Sequence, residues 1–323
     1  MVTLSDIYSA KDRLNGITVR TGLIEFNYGQ AADRRLFLKP ENQQPIGAFK
    51  LRGAYNKIAS LSSEDRERGV ITYSSGNHAQ GVAYSARALG VKAVIVMPSN
   101  APAIKRGATA ALGAAIVFVG PGSAERQLKA EELAAQHGYV IVPPYNDEQI
   151  IAGQGTIGLE ILEELPDVEA VFAPVGGGGL ISGVATAIKL SKPSVKIIGV
   201  EPELASDARA SLRAGKIVQF PAGEVSRTSA DGLRTQSIGA INFEHIRRYV
   251  NDIVTVTEDE IGEAVRLLSK NKDTVAEPSG AVSVAGFLFR GDQLPKTKRN
   301  VAIISGGNID PKMLHELGSK QKS

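Results

Sequence analysis

Four consecutive glycines, Gly176 to Gly179, follow the apolar run VFAPV and precede a helix-like stretch from Leu180. Successive glycines expose successive backbone amides, and a helix starting there aims its positive end at the same point. The segment therefore reads as a phosphate cradle. Its spacing lacks the Gly-x-Gly-x-x-Gly of dinucleotide sites and the Lys-Ser/Thr of a P-loop, and a flexible loop is the alternative. Upstream, in ENQQPIGAFKLRGA (41–54), Lys50 and Arg52 stand at the start of a predicted helix. A cation at that end is disfavoured, which lowers the pKa of a lysine and keeps its amine nucleophilic, although most helix lysines are merely solvated. Ser74-Ser75-Gly76-Asn77-His78 falls at a strand-to-helix turn. Its hydroxyls and amides suit either a bound carboxylate or ordinary helix capping.

Alternating strands and helices must hold these groups. Residues 70–74, 93–98, 115–120 and 139–143 are short, β-rich apolar runs bounded by Gly or Pro, and they read as buried strands. Helical patterns cover 77–89 and 123–137. A second series follows, with helices at 151–165 and 180–190 and strands at 170–175, 196–200, 252–256 and 300–304. Thr257 to Glu260 forms a capping-box pattern. Repeated βα alternation predicts an α/β protein with two open, mainly parallel sheets. Residues 69–146 are expected to form a small domain inserted into a larger one, made of 1–68 and 147–323. The polar motifs fall just past the apolar runs, where ligands sit in such folds.

Composition narrows the class. Of 323 residues, 43% are hydrophobic and 22% charged, the profile of a soluble globular protein. The net charge of +3 is too small and dispersed to argue for nucleic acid. Without cysteine there is no disulfide and no thiolate chemistry. No apolar stretch approaches a membrane span, and the N-terminus has no signal-peptide pattern, so a cytoplasmic location is expected. The C-terminal residues 318–323 read as a frayed end. His78, His137, His245 and His315 are scattered. His78 is expected to brace its turn, and the others to lie on the surface or cap helices.

With these motifs in place, the chain resembles the serine/threonine dehydratases. Residues 41–54 are similar to that family's lysine motif. Residues 75–80 (SGNHAQ), 151–156 (IAGQGT), 176–179, 230–232 (ADG) and 305–310 (SGGNID) match its other signatures in order. The resemblance implies the fold-type II pyridoxal-phosphate architecture (tryptophan synthase beta-like), shared with serine racemases and 3-hydroxyaspartate dehydratases. It implies that Lys50 is the Schiff-base lysine, that Phe49 packs behind the cofactor ring and that Asn77 meets the 3-hydroxyl. Gly176, Gly177, Gly178 and Gly179 would hold the phosphate, and Ser305 would meet the pyridine nitrogen. Ser75 would lie opposite Lys50, with Ser74, Gly76 and His78 beside the substrate. A homodimer is implied as well. The biosynthetic relatives' C-terminal regulatory domain is not expected after Asp310.

A serine cannot protonate the ring nitrogen as an acid would, so the cofactor is expected to be a mild electron sink that favours prompt loss of a β-substituent. The reaction implied is elimination from L-threonine, L-serine or 3-hydroxyaspartate, giving a 2-oxo acid and ammonia. An amino-acid racemase using Lys50 and Ser75 is the second reading, and a catalytically silent amino-acid-binding protein the third. GVEPELASD (199–207) resembles the divalent-cation site of these enzymes, with Glu201, the Ala205 carbonyl and Asp207 as ligands for Mg²⁺ (or Ca²⁺ or Mn²⁺). A solvated acidic loop is the alternative. The position of Arg126 resembles that of an arginine contacting acidic ligands, which would favour 3-hydroxyaspartate; the alternative is a solvated helix residue beside Glu125. Tyr145 and Asn146 form a looser match at the site.

Overall fold

Apolar runs of five or six residues are long enough for a strand and too short for a helix, and in this protein they assemble into two separate sheets. The computed structural model describes residues 1–28, 34–74, 76–99, 101, 103–120 and 123–319. In chain order the elements are α1 (Leu4–Leu14), β1 (Ile24–Glu25), β2 (Arg35–Pro40), α2 (Lys50–Ala59), α3 (Ser63–Arg68), β3 (Val70–Tyr73), α4 (Asn77–Ala88), β4 (Ala93–Pro98), α5 (Ala103–Ala111), β5 (Ala115–Val119), α6 (Ser123–His137) and β6 (Val140–Ile141). They continue as α7 (Glu148–Glu164), β7 (Ala170–Pro174), α8 (Gly179–Ser191), β8 (Lys196–Pro202), α9 (Asp207–Ala214), α10 (Ala222–Val225), α11 (Ala240–Tyr249), β9 (Asp252–Val256), α12 (Glu258–Leu268), α13 (Pro278–Phe289), β10 (Arg299–Ile304) and α14 (Pro311–Ser319).

One sheet has six strands in the order β1-β2-β10-β7-β8-β9, the other four in the order β5-β4-β3-β6. Every pairing is parallel except β1 with β2. The four strands of the smaller sheet all come from residues 70–141. Parallel strands are covered on both faces, and the central ones here are accordingly unbroken apolar runs; β7 is buried at every residue. Thr257 and Glu260 do form the reciprocal capping box that starts α12. β1, β2, α1, α3, α5, α9, α10, α11, α13 and α14 are additions to the elements expected from the sequence. Gly318 and Ser319 close α14 rather than fraying, and 320–323 lie outside the described residues. No helix among the described residues is long and apolar enough to cross a membrane.

A buried ionic knot docks α2 on the larger sheet. Arg52 is 1% exposed. Its Nε and Nη2 donate to the two oxygens of Glu41 at 2.8 Å each, and Nη1 and Nη2 donate to Glu160 on α7 at 2.6 and 2.9 Å. Lys39, fully buried on β2, holds Glu160 from the other side at 2.7 Å. The two helices approach so closely that a side chain on Gly153 would place its Cβ 2.6 Å from the Arg52 carbonyl oxygen. Arg52 thus fixes the helix whose first residue is Lys50.

Removing one partner of a buried ion pair strands the other charges. Arg52→Ala is expected to cost about 3–5 kcal/mol of unfolding free energy in denaturant titration. A loss under about 1 kcal/mol would contradict the role assigned to the knot.

Candidate active site

The carboxyl ends of β3, β7 and β10 face a cavity of about 470 Å³, lined by Phe49, Lys50, Ser74, Gly76, Asn77, His78, Arg126, Tyr145, Gly176 to Gly179 and Ser305. Residues separated by up to 256 positions in the chain meet there because parallel strands deliver their following loops to one edge.

Lys50 opens α2, as the sequence predicts, and its Nζ donates to the Pro144 carbonyl at 2.7 Å. Burial pushes its ammonium down to about 8. The cause differs from the expected one: desolvation, rather than the helix end, disfavours the charged form. Phe49 lies directly behind, its ring centroid 5.1 Å from Nζ. The Phe49 amide donates to the Ser305 carbonyl at 3.0 Å, which ties the lysine segment to the end of β10.

The glycine run is packed tightly between β7 and α8. Gly178 caps α8 with φ of +93°, a backbone state that side chains strain. A Cβ on Gly177 would lie 2.3 Å from the ring of Tyr145. The first amides of a helix have no partner inside it, so the run presents donors and the positive end of the 13-residue α8 to the cavity. A phosphate monoester fits this donor set, and an aldehyde fits the neutral amine of Lys50. Pyridoxal phosphate carries both groups. Ser305 is 5% exposed, and its hydroxyl makes only a long 3.4 Å bond to the Ser279 carbonyl, which leaves it free to turn toward a ring nitrogen.

On the opposite wall, Gly76 is the N-cap of α4, and its amide donates to Ser74 Oγ at 3.3 Å, a local turn bond. His78 is 3% exposed, and its Nε2 lies 3.0 Å from the Val142 carbonyl oxygen. Burial and the nearby Lys50 charge push it down to about 3, so it stays neutral and braces the turn. Ser75 lies outside the described residues. Arg126 lines the cavity half-buried, and burial lowers its pKa; it is not a freely solvated helix residue.

Three further groups were not singled out from the sequence. Lys105 and Asp231 form an ion pair at the cavity wall, joining α5 to the 231–233 turn. Glu277 accepts from Asn77 Nδ2 at 2.5 Å. The Glu277-Pro278 pair just before a run of small residues could have flagged a helix start, but nothing local announces its partner 200 positions away. His245 corrects another expectation. It is fully buried, with Nε2 accepting from the Val2 amide at 3.0 Å.

Away from the cavity, Glu201 and Asp207 are both fully buried, which rules out a solvated acidic loop. Glu201 accepts from the amides of Ala208 and Arg209 at 3.0 and 2.8 Å. Burial and the charge of Asp207 raise its pKa, and burial pushes Asp207 up to about 7. Neither carboxylate oxygen of Asp207 has a hydrogen-bond partner among the described residues. Two buried carboxylates, one with orphaned oxygens, suit a hard cation. No cluster of three or more His, Cys, Asp or Glu side chains fit to hold a metal occurs among the described residues.

Comparison with known proteins agrees with this geometry. Residues 17–306 match the family described as Pyridoxal-phosphate dependent enzyme. The L-threonine ammonia-lyase of Thermotoga maritima is 46% identical over 99% of this chain and 79% of its own length. The L-threo-3-hydroxyaspartate ammonia-lyase of Saccharomyces cerevisiae is 41% identical over 96% of this chain and 94% of its own. The crystal structure of a serine racemase from Dictyostelium discoideum superposes with a TM-score of 0.89 at 36% identity, covering 96% of this chain.

Only the neutral amine of Lys50 attacks a carbonyl. Covalent attachment of an aldehyde to Lys50 in the cofactor-free protein should rise about tenfold per pH unit and level off above its pKa, which burial sets at about 8. Borohydride trapping and peptide mass spectrometry measure the rate; a plateau reached only near the ordinary lysine range would contradict the assignment.

Proposed function

This chain belongs to the pyridoxal-phosphate-dependent enzyme family, and from that membership we propose that it is an ammonia-lyase that converts a small β-hydroxy amino acid to a 2-oxo acid and ammonia. The observation that carries this reading is a depressed lysine amine sharing one cavity with a glycine phosphate cradle and a neutral serine at the end of β10. Ammonia-lyases among its relatives, such as those of Thermotoga maritima and Saccharomyces cerevisiae, support it. Intact Lys50 and glycine cradle argue against a silent binding protein.

The chain's own groups divide the work. Gly176 to Gly179 would hold the phosphate, and Phe49 and Ser305 would confine the ring. The bound cofactor supplies an electron sink for the pair released at Cα. The start of α4 after Gly76 lies at the cavity and suits the substrate carboxylate, with Ser74 alongside. The Lys50 amine would take the α-proton as general base; a pKa depressed toward working pH suits that task. Loss of hydroxide from Cβ as water, followed by hydrolysis of the C–N bond, gives the 2-oxo acid and ammonia. Neutral His78 adds no competing cation beside the amine.

An amino-acid racemase using Lys50 and Ser75 is the second reading, and the likeness to a serine racemase keeps it open. We extend the proposal to a divalent cation, Mg²⁺ by preference, held by Glu201, Asp207 and the Ala205 carbonyl. It also includes independent movement of residues 69–146, a homodimer and a cytoplasmic location. Light scattering of the purified protein reads the oligomeric state, and a monomer would remove the dimer from the proposal.

Assays of L-serine, L-threonine and the 3-hydroxyaspartate isomers should yield 2-oxo acid and ammonia in equal amounts from at least one of them. Recovery of the opposite enantiomer instead would favour the racemase. Arg126→Ala should lower kcat/KM for 3-hydroxyaspartate at least about tenfold more than for threonine, because only the former offers a second carboxylate; equal losses would remove Arg126 from substrate selection. Mg²⁺ should raise the thermal midpoint of the wild type but not of Asp207→Asn, and an unresponsive wild type would refute the cation site.

A further inference from the structure

Asn77 is held at both ends of its amide. The Ile46 carbonyl can only accept, so the Asn308 atom 2.9 Å from it is Nδ2. The same Nδ2 donates to Asn77 Oδ1 at 2.7 Å, which uses both of its hydrogens. The other end of the Asn77 amide is therefore its NH₂, and it donates one hydrogen to Glu277 Oε1 at 2.5 Å. One hydrogen remains. Asn77 lines the cavity, and the amide hydrogen it still has to offer a ligand is on Nδ2.

Glu277 occupies an unusual place for this work. It is the N-cap of α13, a position where Ser, Thr, Asp or Asn normally bonds the free amides, yet its side chain caps nothing. The carboxylate is 4% exposed and points at Asn77. Gly306 leaves it room, since a Cβ there would fall 2.4 Å from Glu277 Oε1 and 3.0 Å from Asn77 Nδ2. The charged groups facing it are Asp231, from the 231–233 turn, and Lys105, from α5, themselves ion-paired. Burial and Asp231 push Glu277 up to about 7, while Lys105 and the Asn77 bond oppose that shift.

We propose that Glu277 is a positioning residue: together with Asn308 it locks the Asn77 amide so that its remaining Nδ2 hydrogen serves an unprotonated ring oxygen of the cofactor. This rests on the reading that the cavity binds pyridoxal phosphate at Lys50. Glu277 lines the same cavity, and the role assigned to it runs through Asn77. Its contribution is to settle which end of Asn77 the cavity meets, a choice that a lone asparagine leaves open.

The test is cofactor titration of cofactor-free wild type, Glu277→Ala, Glu277→Gln and Asn308→Ala, followed by absorbance. Glu277→Ala and Asn308→Ala should each weaken pyridoxal phosphate binding about tenfold, equivalent to ~1.4 kcal/mol, and shift the absorbance of the bound cofactor. Glu277→Gln keeps an acceptor oxygen for Asn77 and should stay within about threefold of wild type with an unshifted band. If Glu277→Ala does not fold, as judged by thermal unfolding without cofactor, the other two variants decide. Unchanged affinity and spectrum in Asn308→Ala, or a Gln variant as impaired as Ala, would overturn the proposal. A wild type that takes up no cofactor would instead overturn the reading of the cavity.

Discussion

Lys50 can act only if α2 starts where it does, and the buried guanidinium of Arg52 settles that. Two residues past the lysine, it spans Glu41 ahead of the helix and Glu160 on α7. Lys39 completes the set on β2. A buried ionic group is rarely the cheapest way to fill a core, because each charge gives up its water. What it supplies here is direction. A guanidinium satisfied by two carboxylates tolerates little rotation, and an apolar residue of similar size would let α2 slide along α7. The backbone bond from Phe49 to Ser305 ties the same segment to the strand that brings the serine. Reacting amine and ring partner thus share one rigid frame.

Within that frame the cavity removes competing charges. The Lys50 amine and the His78 ring are both pushed toward their neutral forms by burial. Ser305 carries no charge to give the cofactor ring. The positive field comes from the start of α8 beneath the glycines, which suits an anion. Arg126, Lys105 and Asp231 lie on the cavity wall, and Arg126 and Lys105 belong to helices flanking the smaller sheet. A neutral centre with charges at the side suits proton removal from Cα by an amine near its own pKa.

Most of this was readable in the sequence where the signal is local. The glycine run, the lysine at a helix start and the strand boundaries at Gly and Pro all follow from neighbouring residues, and β3 to β10 fall within a few positions of their expected places, whereas β1 and β2 were not expected. Signals that depend on distant contacts were not readable. The partner of Glu277 is Asn77, and that of His245 is the Val2 amide; each pair is at least 200 positions apart. Lys50 shows the boundary between the two kinds. Its depressed pKa was expected from the helix end, whereas burial under the folded chain is what lowers it. Arg126 and Asp207 look like ordinary surface residues by type, and only the fold removes them from water.

The central claim is that the Lys50 amine is the group on which elimination depends. The most direct measurement is 2-oxo acid formation by Lys50→Ala, with cofactor added, on whichever of L-serine, L-threonine and 3-hydroxyaspartate the wild type consumes. The expected result is a fall in turnover of at least about a thousandfold, with folding and the unfolding midpoint preserved. Turnover at the wild-type rate would contradict it.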